Sequence, residues 1–127
     1  MISECFLVEP FTCKDSDTVS EVAKKLKQYT QRHIYVVDDN DKPVGIISIT
    51  DIIDKIIIPA KNVADFKAKD VMHTEIIVFE DNDRLKKAYK LMVDKGVVSC
   101  AITENNKMIG MLTLKEAIKH ITNPEKL

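Results

Sequence analysis

The sequence predicts an α+β fold built from two β-α-β-β-α units, and three observations carry that expectation. First, shifting the 127-residue chain by 65 positions brings its halves into register without a gap. Ile34-Tyr35-Val36-Val37 then falls on Ser99-Cys100-Ala101-Ile102, Gly45 on Gly110, and Ile46-Ile47-Ser48-Ile49 on Met111-Leu112-Thr113-Leu114. Second, each half runs from a helically spaced stretch into two short apolar runs split by a polar turn. Third, 45% hydrophobic and 31% charged residues suffice to close a core and argue against disorder. A period of 65 residues that occurs twice is too long for a solenoid, so a duplicated pair sharing one interface fits better.

The elements follow in order. A short strand near Phe11–Lys14 opens the first half. A helix from Thr18 to Tyr29 carries Val19, Val22, Ala23 and Leu26 on one face, with Thr18 and Glu21 spaced as a capping box. Strands Ile34–Val37 and Val44–Ser48 flank the turn Asp38-Asp39-Asn40-Asp41, and a closing helix runs from Thr50 to Ile57, stopped by Pro59. In the second half a strand near Ile76–Phe79 precedes a helix that starts after Asp83, with Leu85, Ala88, Tyr89 and Met92 on its apolar face. Gly96 suits a left-handed C-cap there. Asn105-Asn106 forms the matching turn, and the closing helix runs from Lys115 to Ile121. The expected domains are residues 1–59 and 70–124, joined by a linker at 60–69. The run Ile56-Ile57-Ile58 is expected to pack in the core or on a dimer face.

Charge and cysteine usage exclude several functions. With 19 basic and 20 acidic residues and no basic stripe, a phosphate-led nucleic-acid binder is not expected. Cys5, Cys13 and Cys100 are odd in number and lack CxxC spacing, which fits free thiols in a reducing compartment. No cysteine or histidine stands at zinc spacing, so no metal is expected. The acidic N-terminal residues do not read as a signal peptide, and the apolar run from Ile46 to Ile58 is interrupted by Asp51, Asp54 and Lys55, so a cytoplasmic location without membrane contact is expected. There is no G-x-S-x-G, H-E-x-x-H or P-loop, and no nucleophile with an orienting base nearby; the chain does not read as an enzyme.

The two halves resemble a tandem pair of cystathionine-β-synthase-type (CBS) domains, a Bateman module. In the first half the resemblance is carried by His33-Ile34-Tyr35-Val36-Val37-Asp38 and by Pro43-Val44-Gly45-Ile46-Ile47-Ser48-Ile49-Thr50-Asp51-Ile52. In the second it is carried by Asp70-Val71-Met72 and by Ile109-Gly110-Met111-Leu112-Thr113-Leu114-Lys115-Glu116. The resemblance implies two repeats related by a pseudo-two-fold axis, packed through their sheets and leaving two clefts. It also implies that these clefts take an adenosine derivative such as AMP, ADP, ATP or S-adenosylmethionine, and that the module forms a homodimer. With no effector domain in this sequence, such a sensor is expected to signal in trans to a partner protein. The alternative is a dimerising scaffold with vestigial clefts.

The residues give that resemblance a chemistry. Gly45 permits a close approach of backbone or ligand. Ser48 and Thr50 place hydroxyls at the start of a helix, whose unpaired N–H groups favour phosphate. Asp51 follows in the first turn, where a carboxylate can accept from both hydroxyls of a ribose. Adenine is expected near Cys13, Ile34 and Tyr35, with Arg32 and His33 candidates to meet phosphate. The weaker second site comprises Val78, Ser99, Cys100, Thr113, Lys115 and Glu116. There Glu116 replaces the aspartate common in the family, which favours the scaffold alternative for that half.

Overall fold

The computed structural model describes residues 1–121 of the chain, so the last three residues of the expected second domain, 122–124, lie outside the described residues. Two compact units form. The first runs from Phe11 to Ile76; the second combines Met1–Pro10 with the chain from Ile77 onward. Each holds a three-stranded mixed sheet, and the α+β class expected from the sequence is the one observed.

In the first unit β1 (Thr12–Lys14) runs parallel to β2 (His33–Val37), which pairs antiparallel with β3 (Pro43–Ser48). Helix α1 (Val19–Tyr29) crosses between β1 and β2 and buries Val19, Val22 and Leu26. Thr18 caps it by accepting from the Glu21 N–H at 3.2 Å, while the Thr18 backbone pairs with Lys67 in an isolated bridge. The closing helix begins at Ile49, one residue ahead of expectation, as α2 (Ile49–Ile52) and continues as one π-helical turn through Ile57. Residues 60–69, the expected linker, lie against the first unit. Val63 and Phe66 pack against the core, and Ala68, which opens the short helix α3 (Ala68–Val71), is fully buried.

The second unit repeats this order. β4 (Val78–Glu80), α4 (Leu85–Lys95), β5 (Ser99–Glu104), β6 (Lys107–Thr113) and α5 (Leu114–Ile121) follow one another, with sheet order β4-β5-β6. Gly96 ends α4 at φ 68°, the left-handed cap the sequence implies; Thr30 takes the same conformation after α1 at φ 54° with no sequence signal.

Register corrects the repeat arithmetic. Val36 pairs with Gly45 and Ile102 with Gly110, so the strands after each turn match at an offset of 65 but those before it at 66. The buried triads agree: Val19, Val22 and Leu26 of α1 correspond to Leu85, Ala88 and Met92 of α4, also 66 apart. One residue is missing from the second hairpin. Val37–Pro43 encloses five residues, 38–42, whereas Thr103–Met108 encloses four, 104–107. Asn105 and Asn106 sit there at φ 53° and 66°, the two-residue turn whose twist matches that of its strands. The gapless match is thus one residue out over the whole first part of each repeat.

One core lies under each sheet. Cys13, Ile34, Val36 and Ile47 meet α1, Ile52 and Ile56 in the first; Phe79, Cys100, Ile102 and Leu112 meet α4, Ala117 and Ile2 in the second. Of the isoleucine run only Ile56 is core. Ile57 and Ile58 are exposed and, with Ile49 and Ile53, leave an apolar strip along the closing helix.

Candidate functional site

The first unit gathers its polar chemistry where β3 turns into α2. Ser48 ends the strand with its N–H and hydroxyl directed at the Asp51 Oδ2, at 2.8 and 2.9 Å, and its Oγ accepts from the Asp51 N–H at 3.1 Å. This capping box fixes the Asp51 rotamer and leaves the residue 6% exposed. The other oxygen, Oδ1, meets the His73 Nε2 at 2.5 Å, with the Lys55 ammonium 3.9 Å away. Burial alone raises the Asp51 pKa. The Ser48 N–H, the Ser48 hydroxyl and His73 outweigh it, and the net shift is below the ordinary 3.8.

His73 reaches Asp51 because its backbone is tied to the sheet. His73 N–H donates to the Ile46 carbonyl and Ile46 N–H to the His73 carbonyl, both at 2.9 Å. This strap runs directly over Gly45, where a Cβ would stand 2.6 Å from the Met72 Sδ and 2.8 Å from the His73 carbonyl oxygen. The close approach expected at Gly45 is therefore made by the chain itself. Gly110 plays the same part under Leu7 and Val8, and Val8 pairs with Met111.

The second unit builds a related arrangement with a longer side chain. The Glu116 N–H donates to the Thr113 Oγ1 at 3.1 Å, while its Oε2 accepts from the Phe6 N–H at 2.9 Å and lies 2.6 Å from the His120 Nε2. The Phe6 N–H holds the Glu116 pKa down, against some burial, with His120 and Lys119 adding to the effect. Both units thus hold the first-turn acid of the closing helix against a histidine. Neither histidine was legible as a partner. His73 is 22 residues from Asp51 in sequence and arrives through the bridge at Ile46. His120 is at i+4 from Glu116, a spacing that could have flagged it.

The remaining expected residues divide between two faces. Side chains alternate along a strand, so Thr12, Tyr35 and Ile46 share one face of the first sheet, while Cys13 and Ile34 point into the helix-packed core. Cys13 and Ile34 therefore cannot line an adenine pocket with Tyr35 through their side chains. Burial pushes the Cys13 thiol up to about 12, helped by Asp17, which makes it inert. His33 pairs with Ser48 across the strands and is exposed, as are Arg32 and Thr50. Arg32 and His33 flank the strand-to-helix corner through the Arg32 carbonyl, which accepts from the Ile49 N–H at 3.0 Å, and the His33–Ser48 pairing, while Tyr35, paired with Ile46, is only 5% exposed.

In the second unit the one-residue slip changes which residues correspond. Ala101, not Cys100, matches Tyr35; Ser99 matches His33; and Phe79, not Val78, matches Cys13. Cys100 is fully buried under the helices, and burial raises its thiol to about 12. Val78 lies on the opposite face beside Ala101 and is 38% exposed. Thr113 and Lys115 line a shallow open groove with Val98, Leu114 and Ile118.

The depressed Asp51 pKa has a pH consequence with a definite sign. A carboxyl whose folded pKa lies below its unfolded one contributes stability that is fully present above the unfolded value and lost as pH falls through the folded one. For Asp51 that loss begins near 3.8 and continues below it. Acid unfolding followed by circular dichroism is expected to be less steep for Asp51→Asn than for the parent over that interval. Equal slopes would show that the Ser48 and His73 contacts do not favour the ionised form.

Taken together, the two units define a duplicated α+β module whose closing helices each begin on a held carboxylate. The chain belongs to the CBS domain family: the family model matches residues 2–58 and 68–123, a tandem CBS pair, which in members of the family is a regulatory module. An uncharacterised protein of Methanopyrus kandleri is 31% identical over 109 residues, 85% of this chain and 56% of that protein. The inosine-5'-monophosphate dehydrogenase of Methanocaldococcus jannaschii is 29% identical over 125 residues, 96% of this chain and 24% of the enzyme. The chain thus spans about half or less of the length of these relatives. Among solved structures, a CBS domain protein from Pyrobaculum aerophilum complexed with AMP superposes with a TM-score of 0.71 at 19% identity, covering 91% of this chain and 88% of that one. At that identity it shows the fold. No helix among the described residues is long and apolar enough to cross a membrane.

Proposed function

We propose that the chain is a regulatory module, not an enzyme, that binds an adenosine derivative (AMP, ADP, ATP or S-adenosylmethionine) at the Asp51 corner and passes the signal in trans to a partner protein. The observation that carries this reading is the strand-to-helix junction itself: an ionised, oriented Asp51 beside the exposed Thr50 at a helix start. Asp51 takes the ribose hydroxyls, Thr50 and the exposed Arg32 and His33 meet phosphate, and Tyr35 packs on the base. His73 occupies one Asp51 oxygen, so the ribose has to displace it; its side chain is 58% exposed and free to swing out. Thr113, Lys115 and Glu116 form the weaker counterpart. The AMP complex of the Pyrobaculum aerophilum protein supports the ligand class. The module works in the cytoplasm as a homodimer, for which the apolar strip of Ile49, Ile53, Ile57 and Ile58 is a suitable face.

One observation favours a second reading. Every oxygen of Asp51 already has a partner, and the Glu116 carboxylate is held by Phe6 and His120. A scaffold with vestigial sites would look the same. Thermal unfolding with each of the four compounds separates the two. A compound at 100 times its dissociation constant adds about 2.7 kcal/mol to stability, which raises the midpoint of a domain this size by several degrees. A rise with one compound supports the sensor and names its ligand; no rise with any at millimolar concentration overturns it in favour of the scaffold.

A further inference from the structure

The second unit brings together three side chains of unlike chemistry. Cys5 comes from the N-terminal strap, and Glu116 and His120 from adjacent turns of α5, so 111 residues separate the thiol from the carboxylate in sequence. One donor atom from each, the Cys5 Sγ, a Glu116 carboxylate oxygen and a His120 ring nitrogen, lies within 4.8 Å of the others. We propose that these three residues form a binding site for a zinc-class divalent cation.

The donor set argues for that class. Thiolate and imidazole favour zinc over magnesium or calcium, and one carboxylate completes a three-ligand set with a fourth position for water. The spacing argues the same way. Around a tetrahedral zinc, bonds of about 2.0–2.3 Å put donors about 3.3–3.6 Å apart. The present cluster brackets that range, with the His120–Glu116 pair at 2.6 Å and the widest separation under 4.8 Å, so movements of about 1 Å make the site. The Glu116 and His120 side chains are 13% and 11% exposed, which keeps competing water few.

The contacts that would orient such ligands are also in place. The Phe6 N–H holds the Glu116 carboxylate at 2.9 Å, next in sequence to Cys5, and the Thr113 hydroxyl anchors the helix start. The strap carrying Cys5 is fastened at both ends, by Ile2 N–H to the Asp83 carbonyl at 3.0 Å and by the Val8–Met111 bridge. The thiol is thus delivered to α5 by fixed backbone. On binding, the Cys5 S–H bond breaks and its proton leaves to solvent. A sulfur–zinc bond forms, the proton held between His120 Nε2 and Glu116 is also given up to solvent, leaving His120 as its Nδ1–H tautomer, and the cation takes that proton's place. No electron changes hands. The result ties the strap to α5, a role separate from nucleotide binding at Asp51.

The test uses the full chain without nucleotide. Zn²⁺ affinity is measured by competition with a chromogenic chelator, and Co²⁺ substitution is followed in the near ultraviolet, where a thiolate–cobalt bond absorbs. The expected result is one equivalent of metal, a cobalt–thiolate band, and at least tenfold weaker binding in both Cys5→Ser and His120→Gln. A Cys13→Ser variant, altered in the first unit's core, keeps the band if it folds. Because a variant could misfold, alkylation of the parent protein gives an independent reading. Cys13 and Cys100 are buried, so iodoacetamide reports on Cys5, and Zn²⁺ is expected to slow its modification at least tenfold. Absence of the band, or Cys5 alkylation that Zn²⁺ does not slow, overturns the site. Either result leaves the adenosine reading at Asp51 untouched, whereas a bound cation would take Glu116 from the weaker counterpart.

Discussion

Replacing Gly45 with alanine is expected to destabilise the first unit by about 2–4 kcal/mol, the sum of overpacking and a weakened bridge. The added methyl would meet the Met72 Sδ at 2.6 Å and the His73 carbonyl oxygen at 2.8 Å. The thioether is the end of a flexible side chain and can swing aside. The carbonyl cannot, because it accepts the Ile46 N–H at 2.9 Å and belongs to the segment that follows α3. Moving it opens both hydrogen bonds of the strap and carries the His73 ring away from Asp51. The thermal midpoint should fall by roughly 10 °C in a domain of this size. A second substitution, Met72→Ala, separates the two contacts. If it restores the parent midpoint in the Gly45→Ala background, the side chain alone was the obstacle and the strap is looser than its hydrogen bonds indicate. If the loss persists, the backbone contact accounts for it. The same methyl in a protein without this strap would cost little, so an unchanged midpoint in Gly45→Ala itself would refute the packing of Met72 and His73 on β3.

What the sequence made legible, and what it hid, follows from the geometry of strands. Helix faces survive a one-residue error, since Val22 and Ala23 both lie near the buried side of α1, and the hairpins announce themselves through Asp38–Asp41 and Asn105-Asn106. Strand faces do not survive it, because a slip of one residue turns each side chain to the other face. The single residue missing from the second hairpin is therefore enough to match Tyr35 with Cys100 instead of Ala101, and Cys13 with Val78 instead of Phe79. Cys13 and Ile34 fall on the other face for a related reason: Ile34 precedes Tyr35 in its strand and Cys13 pairs with Val36, so both point away from Tyr35 and pack under α1. The strand-to-helix corner was legible because its logic is local. Ser48, Thr50 and Asp51 lie within four residues, and a capping box needs no tertiary information. His73 and Cys5 are different. Each reaches the acid of a closing helix through a strap that crosses a glycine, and only the folded chain brings them there.

Asp51→Ala is expected to weaken binding of the adenosine derivative by about 10- to 150-fold, the equivalent of about 1.5–3 kcal/mol for hydrogen bonds to a charged group. It also removes the reciprocal half of the capping box, so a loss of about 0.5–2 kcal/mol in stability accompanies it whether or not a ligand exists. Stability alone cannot decide the role of this carboxylate; affinity measured on folded protein can. His73→Ala sharpens the decision. In the proposed mechanism His73 competes with ribose for Oδ1, so its removal should tighten binding by about 2- to 5-fold, the worth of a hydrogen bond with one exposed partner. If affinity falls instead, His73 is a contact to the ligand and not its competitor, and the ribose must approach Asp51 from another side. If Asp51→Ala binds as tightly as the parent, the carboxylate serves only to cap α2, and the His73 pair is a latch between the strap and the helix. The two variants move affinity in opposite directions only if the oxygen that His73 holds is the one the ribose needs.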